Sequence, residues 1–372
     1  MHIVVNNIYL QGNHPHGNTF SQHLFGYLIG KHPEHHFYFL VDKSDKNNYP
    51  KADNATITIN SSIKNIASLK IWDTIQLPKI LKQLKATMLI QPNGLCCKTK
   101  VPQLMVVTDL LWMQQPSLMS AFLRWYHRVF MKQGINKSAQ IVTLTEQTRQ
   151  DLLSNFPMAS GKVSLVYSAA SSLFQPVEYD QKRQTKDGFA EGREYFLYTG
   201  IHHSDKNILE LLKAFTLFKR WQKSNMKLLV VGTIAAKKNG IIQKLNSYKY
   251  KDDVVLLPSI TEQQLAQITA AAYAVIHPFF HEPLAMPILS SMKCGVPVIT
   301  INAININEIG GNACLYASPN DSEALANETK LLYRDELLSR SLVEKGLQQS
   351  SVFNWERTGN LFWDAVLKAI AN

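Results

Sequence analysis

In the C-terminal half of this chain, five short apolar runs (195–199, 227–231, 254–257, 273–276 and 296–300) recur about every 20 to 30 residues. Each pair is separated by a segment with helical character. Ile208, Leu211, Leu212, Phe215 and Phe218 follow helical spacing, and Thr261-Glu262-Gln263-Gln264 has the form of a capping box that opens a helix running to about residue 272. Parallel strands need crossovers of a dozen or more residues, so this rhythm predicts a parallel βαβ sheet.

The N-terminal half is less regular but begins the same way. It has a strand at 3–5, a turn at Gly17-Asn18, a helix to about Gly30 and a strand at 37–41, with further strands expected at 87–90, 103–107 and 140–144. A chain of 372 residues exceeds what one core usually holds, which favours two domains with a cleft between them. Residues 175–193 are polar, charged and poor in apolar side chains, and read as the linker. The expected division is therefore 1–175 and 194–353. The last segment, from 354, is an amphipathic helix with Asn354 as N-cap and Trp355, Leu361, Phe362, Val366 and Ile370 on its apolar side.

Several classes are disfavoured. The first residues lack a basic stretch followed by a long apolar one, and no run of apolar residues is long enough to cross a bilayer. Four cysteines, none in a C-x-x-C pair, read as reduced structural thiols of a cytoplasmic protein. G-x-G-x-x-G, P-loop and G-x-S-x-G signatures are missing. His277, His281 and Glu282 lack the order of a helical zinc motif. The net charge of +11 makes the surface attractive to polyanions, whether nucleic acid, anionic lipid or diphosphate. Two segments concentrate it: Lys79, Lys82 and Lys85 at spacings of three, and a basic-aromatic stretch with Arg124, Trp125, Tyr126, Arg128, Phe130 and Lys132. Such helices suit a membrane interface, although a helix with one solvated and one core face has the same pattern.

In an open parallel sheet, ligands sit beyond the carboxyl ends of the strands, where helix N-termini offer amides to phosphate. Two strand ends carry suitable residues. The run Thr199-Gly200-Ile201-His202-His203-Ser204-Asp205-Lys206-Asn207 delivers a lysine just before a helix, against that helix's dipole, where it could neutralise a departing diphosphate. The run His277-Pro278-Phe279-Phe280-His281-Glu282-Pro283-Leu284-Ala285-Met286-Pro287 brings a carboxylate to the same edge, suited to sugar hydroxyls.

Together these runs, with Gly295-Val296-Pro297-Val298-Ile299 and Asn307-Glu308-Ile309-Gly310-Gly311, resemble the nucleotide-sugar-binding half of glycosyltransferase family 4, the retaining group 1 transferases of GT-B fold. Weaker echoes lie at 17–27, 106–110 and 141–146, and Asn354-Trp355-Glu356 resembles the terminal helix that crosses back to the first domain. The resemblance implies an α/β protein of two Rossmann-like parallel-sheet domains facing each other across a cleft, with the acceptor side in the first. It implies Lys206 on the diphosphate, Glu282 on the donor sugar, and backbone at Pro283, Leu284 and Ala285 close to the phosphates. Gly17, Gly200, Asn207, Ser290 and Glu308 fall around the donor pocket. It implies transfer of a hexose from a nucleotide diphosphate sugar to a saccharide or lipid-linked acceptor in cell-surface glycan synthesis, with no cofactor, no metal and no nucleic-acid partner. The location implied is cytoplasmic, with the inner face of an anionic membrane as a further surface.

The chain departs from the family pattern at four places. Ser290 replaces a second glutamate, Asp205 an arginine, Pro283 and Ala285 two glycines, and Thr108 a histidine. These changes motivate an alternative, a degenerate member that binds without turnover; a nucleotide-sugar isomerase is a further one.

Overall fold

The computed structural model describes the chain except residues 9–15, 43–48, 50, 61–62, 64–65, 93, 95, 115–120, 201–204, 233–244, 246, 259, 280–283 and 372. Side chains at 16–19, 59–60, 66–67, 111, 114, 121–123, 126 and 205–207 are also outside the description. The chain divides into two units, Met1–Ser168 with Asn354–Asn372, and Ala169–Phe353.

The first unit is built on a seven-stranded sheet of order β3-β2-β1-β4-β5-β6-β7. Its strands are β1 (His2–Asn7), β2 (His36–Asp42), β3 (Ala55–Asn60), β4 (Met88–Gln91), β5 (Gln103–Val107), β6 (Gln140–Thr143) and β7 (Val163–Leu165). Every pairing is parallel. Its described helical segments include α1 (His16–Lys31), α2 (Ile66–Ile71), a π turn (Trp72–Gln76), α3 (Leu77–Gln83), α4 (Leu111–Gln114), α5 (Ala121–Lys137) and α6 (Glu146–Asn155). Gly17 and Asn18 stand in the first turn of α1, not in a turn before it.

The second unit carries a six-stranded sheet of order β10-β9-β8-β11-β12-β13, again parallel throughout. Its strands are β8 (Tyr195–Thr199), β9 (Lys227–Val231), β10 (Val254–Leu257), β11 (Ala274–His277), β12 (Val298–Ile301) and β13 (Cys314–Ala317). Its helices are α7 (Tyr179–Ala190), α8 (Asp205–Gln222), α9 (Glu262–Ala271), α10 (Met286–Lys293), α11 (Ile304–Gly310), α12 (Ser322–Arg334) and α13 (Glu336–Val352). Central β8 buries both faces, as a doubly covered strand must. Phe196 and Tyr198 join one apolar cluster with Ile208, Leu211, Leu212, Phe215 and Phe218 of α8. Tyr195 and Leu197 join another with Ala266, Ile268 and Ala270 of α9. The capping box at Thr261 is present, its hydroxyl accepting from the Gln264 amide while the Gln264 side chain accepts from the Thr261 N–H.

Two expectations are corrected. Residues 179–190, taken as part of a polar linker, form α7, because Phe174, Val177, Phe189 and Ala190 supply just enough apolar surface to seat it against α9. The final helix, α14 (Trp355–Ala371), has its N-cap at Asn354, whose side chain accepts from the Arg357 amide. Its buried stripe, however, runs through Thr358, Gly359, Phe362, Trp363, Ala365, Val366 and Ala369, and Leu361 lies exposed. The register is set by Gly359, where a Cβ would overlap the Tyr27 ring of α1.

All four cysteines are free and buried. Burial pushes the Cys97 and Cys294 thiols up to about 12, which suits packing and not nucleophilic work. No described helix is long and apolar enough to cross a membrane.

Candidate functional site

The loops that carry the sequence-predicted residues leave from neighbouring strands. β8 and β11 are hydrogen-bonded parallel partners, with Phe196 opposite Ala274 and Leu197 opposite Val275. Their carboxyl ends therefore open at the same sheet edge, and β12 ends beside them with Thr300 opposite His277. Thr300 Oγ1 donates to the His277 carbonyl at 2.9 Å, fastening β12 to β11 at that edge.

At the end of β8, Gly200 takes φ +111, a conformation an L side chain rarely adopts, and a Cβ there would meet open space. The strand can thus turn out sharply at Gly200. Its amide donates to the Val231 carbonyl at 3.2 Å and the Tyr198 hydroxyl donates to its carbonyl at 3.2 Å. Lys206 and Asn207 occupy the first turn of α8, and their side chains lie outside the described residues.

At the end of β11, His277 is 1% exposed, and neither ring nitrogen has a hydrogen-bond partner. Its ring meets Phe279 edge-on at 6.2 Å. Burial pushes its pKa down to about 4, so the imidazole is neutral at ordinary pH. Glu282 and Pro283 fall outside the described residues, as does His281. Leu284 and Ala285 are buried, and Ala285 adopts φ 46, ψ 34 as the N-cap of α10. A left-handed alanine is strained, and glycine would hold that geometry at no steric cost. The Ala285 carbonyl accepts from Ile288 at 3.1 Å and Leu289 at 3.0 Å, so the strained residue starts the helix. Ser290 is buried on α10, and Glu308 is half-buried on α11.

The first unit has a polar strand edge that sequence reading missed. Asn6 Nδ2 donates to Gln91 Oε1 at 2.8 Å, and the Trp72 indole donates to Asn6 Oδ1 at 3.2 Å. Asn7 Nδ2 meets Ser21 at 3.0 Å and also the Tyr49 hydroxyl. All four side chains, Asn6, Asn7, Ser21 and Gln91, are buried. The signal available was Asn6-Asn7 ending an otherwise apolar strand. In the adjoining π turn, burial raises the Asp73 carboxyl to about 7 despite the opposing pull of Lys137, and its Oδ1 has no partner.

This architecture, two Rossmann-like parallel-sheet units, is that of GT-B glycosyltransferases. The chain superposes over its full length on sucrose-phosphate synthase from Thermosynechococcus elongatus (TM-score 0.80, 16% identity, 99% of that chain). It also superposes over 99% of its length on Anabaena Alr3699/HepE in complex with UDP and glucose (TM-score 0.76, 12% identity, 99% of that chain). Residues 180–349 match the family described as "Glycosyl transferases group 1". Among curated proteins, O-antigen chain mannosyltransferase B of Escherichia coli is 26% identical over 234 residues, 62% of this chain and 61% of that protein. The matched stretch thus spans less than two thirds of that relative's length. The family match lies within the second unit.

Proposed function

We propose that the chain is a retaining hexosyltransferase of glycosyltransferase family 4 that takes its sugar from a nucleotide diphosphate donor, in O-antigen or related cell-surface glycan synthesis. One observation carries the reading: β8 and β11 are adjacent, so the lysine and glutamate loops share one edge of the unit that matches the group 1 family. The mannosyltransferase name of the Escherichia coli relative makes mannose the first sugar to test, and the UDP bound to the Anabaena protein supports a nucleotide leaving group. In this reading the anomeric C–O bond to the diphosphate breaks and a new one forms to an acceptor hydroxyl on the same face. The hydroxyl proton leaves with the diphosphate.

Departing phosphate charge is the largest electrostatic change, and it develops where Lys206 and the first-turn amides of α10 lie in sequence. Pro287 supplies no amide to that set. Glu282 orients the sugar hydroxyls, and Gly200 lets the backbone approach. A saccharide or lipid-linked acceptor would meet the first unit. On α5, the 61% exposed Trp125 with exposed Arg128 and Lys132 supports contact with an anionic inner membrane surface. The names of the relatives describe transfer, which favours neither a binding-only protein nor an isomerase.

The test is incubation with radiolabelled nucleotide diphosphate sugars and a lipid-linked saccharide acceptor. Labelled product that disappears with Glu282→Gln supports the reading. An epimerised donor, or no transfer and no donor hydrolysis with any sugar, defeats it.

A further inference from the structure

We propose that His32, Glu34 and His35 form a binding site for a divalent transition metal, zinc by the character of its ligands. The chain leaves α1 at Lys31 and turns through His32-Pro33-Glu34-His35, closed by the His35 amide donating to the His32 carbonyl at 3.1 Å. Proline at the second position of such a turn fixes its backbone. The turn brings both imidazoles to one carboxylate oxygen: His32 Nδ1 lies 3.4 Å and His35 Nε2 3.3 Å from Glu34 Oε1. All three donor atoms lie within 4.8 Å of one another. Zinc bonds of about 2.0 to 2.2 Å at the tetrahedral angle put adjacent ligand atoms about 3.3 to 3.5 Å apart, which is the spacing of these two edges.

An ordinary ion pair needs one imidazole; here two are aimed at the same oxygen and both are held. The His32 ring stacks on the Trp363 indole at 3.8 Å and the His35 ring at 5.2 Å. The two imidazoles are parallel within 6° at 5.9 Å, a separation too short for rings on opposite faces of the indole. They lie side by side on one face, so an ion between them sits in the plane of both rings, as imidazole coordination requires. Asn54 Nδ2 donates to the carbonyls of Ile29 (3.1 Å), His32 (3.3 Å) and His35 (3.2 Å), pinning the turn. The other nitrogen of His35, Nδ1, lies 3.3 Å from the Met1 amine, and a metal at Nε2 requires the ring proton on Nδ1, facing that amine. Glu34 is exposed, and its backbone hydrogen bond holds its carboxyl below the usual carboxylate range. Two borderline imidazoles and a hard carboxylate form a ligand set that zinc takes, and the fourth position is left to water.

The site lies at the amino end of β2, the edge of the first unit's sheet opposite Asn6, Asn7 and Gln91. Its role is therefore structural: through Trp363 it joins the α1–β2 turn to α14. Cobalt(II) titration of the untagged full chain, stripped with chelator, tests it. The wild type is expected to develop the visible ligand-field bands of tetrahedral cobalt, saturating at one ion per chain and bleached by zinc. Glu34→Gln, a change at an exposed position, is expected to weaken binding by about tenfold or more while leaving the chelator-treated melting temperature unchanged. His32→Ala is expected to abolish the bands. The proposal is overturned if the wild type gives no bands, or if Glu34→Gln and His32→Ala titrate as the wild type does.

Discussion

The carboxyl edges of the two sheets solve the same problem differently. In the first unit, polar side chains at the strand ends are knitted together, with Asn6 to Gln91 and Trp72, and Asn7 to Ser21 and Tyr49. In the second, the described residues include a glycine at φ +111, a buried histidine with no partner, and an alanine strained at a helix start. Buried polar groups without partners are costly and uncommon. Both units keep some: Gln91 Nε2 and Thr143 Oγ1 in the first, and both His277 ring nitrogens in the second, where a strained helix start follows.

Each unit also holds one ionisable group shifted by burial, an acid in the first and a base in the second. Asp73 titrates near 3.8 unfolded and about 7 folded, so between those values the folded chain binds more protons and stability falls as pH rises. His277 titrates near 6.5 unfolded and about 4 folded, so in that window the unfolded chain binds more protons and stability falls as pH drops. Over pH 4 to 6.5 the two slopes oppose each other, and removing either group should expose the other. Asp73→Asn is expected to give the largest change, a gain of up to about 4 kcal/mol at pH 8 relative to pH 4, read by urea unfolding across pH. Next comes His277→Leu, which should remove about 3 kcal/mol of acid sensitivity between pH 6.5 and 4 and leave the protein no less stable at pH 7. If either variant keeps the wild-type profile, the contrast in ionisation fails. The smallest expected effect is at Ala285→Gly, where relief of the left-handed strain, offset by glycine's entropy, should raise stability by up to about 1 kcal/mol. A loss there would mean that the Ala285 methyl contributes more packing than its backbone costs.

Much of the fold was legible because central strands are buried on both faces. The runs at 195–199, 227–231 and 103–107 coincide with β8, β9 and β5 to the residue. The three strands that escaped reading, β3, β7 and β13, are all at sheet edges. Edge strands are half covered, so Val163–Leu165 is three half-buried residues and Ala55–Asn60 alternates threonine with isoleucine, too little apolar length to stand out. On α14, Phe362 and Val366 are buried as expected, whereas Leu361 is exposed and Gly359 faces the core: it admits Tyr27 closely, and hydrophobicity gives no weight to a missing side chain. At the candidate site, the ends of β8 and β11 were legible, because residues such as Gly200 interrupt the apolar strand pattern. It could not reveal that His277 is buried alone, since partnership is a property of packing. Nor could it reveal the Asn6-Gln91 pair, whose members lie 85 residues apart.

In the proposed function, the carboxyl edge of the second unit's sheet receives the diphosphate of a nucleotide. Isothermal titration of the full chain with uridine, guanosine and adenosine diphosphates measures this directly. Binding of at least one of them is predicted, weakened about tenfold or more by Lys206→Ala, corresponding to about 1.4 kcal/mol. Absence of binding heat with all three, or a Lys206→Ala variant that binds as tightly as the wild type, would contradict it.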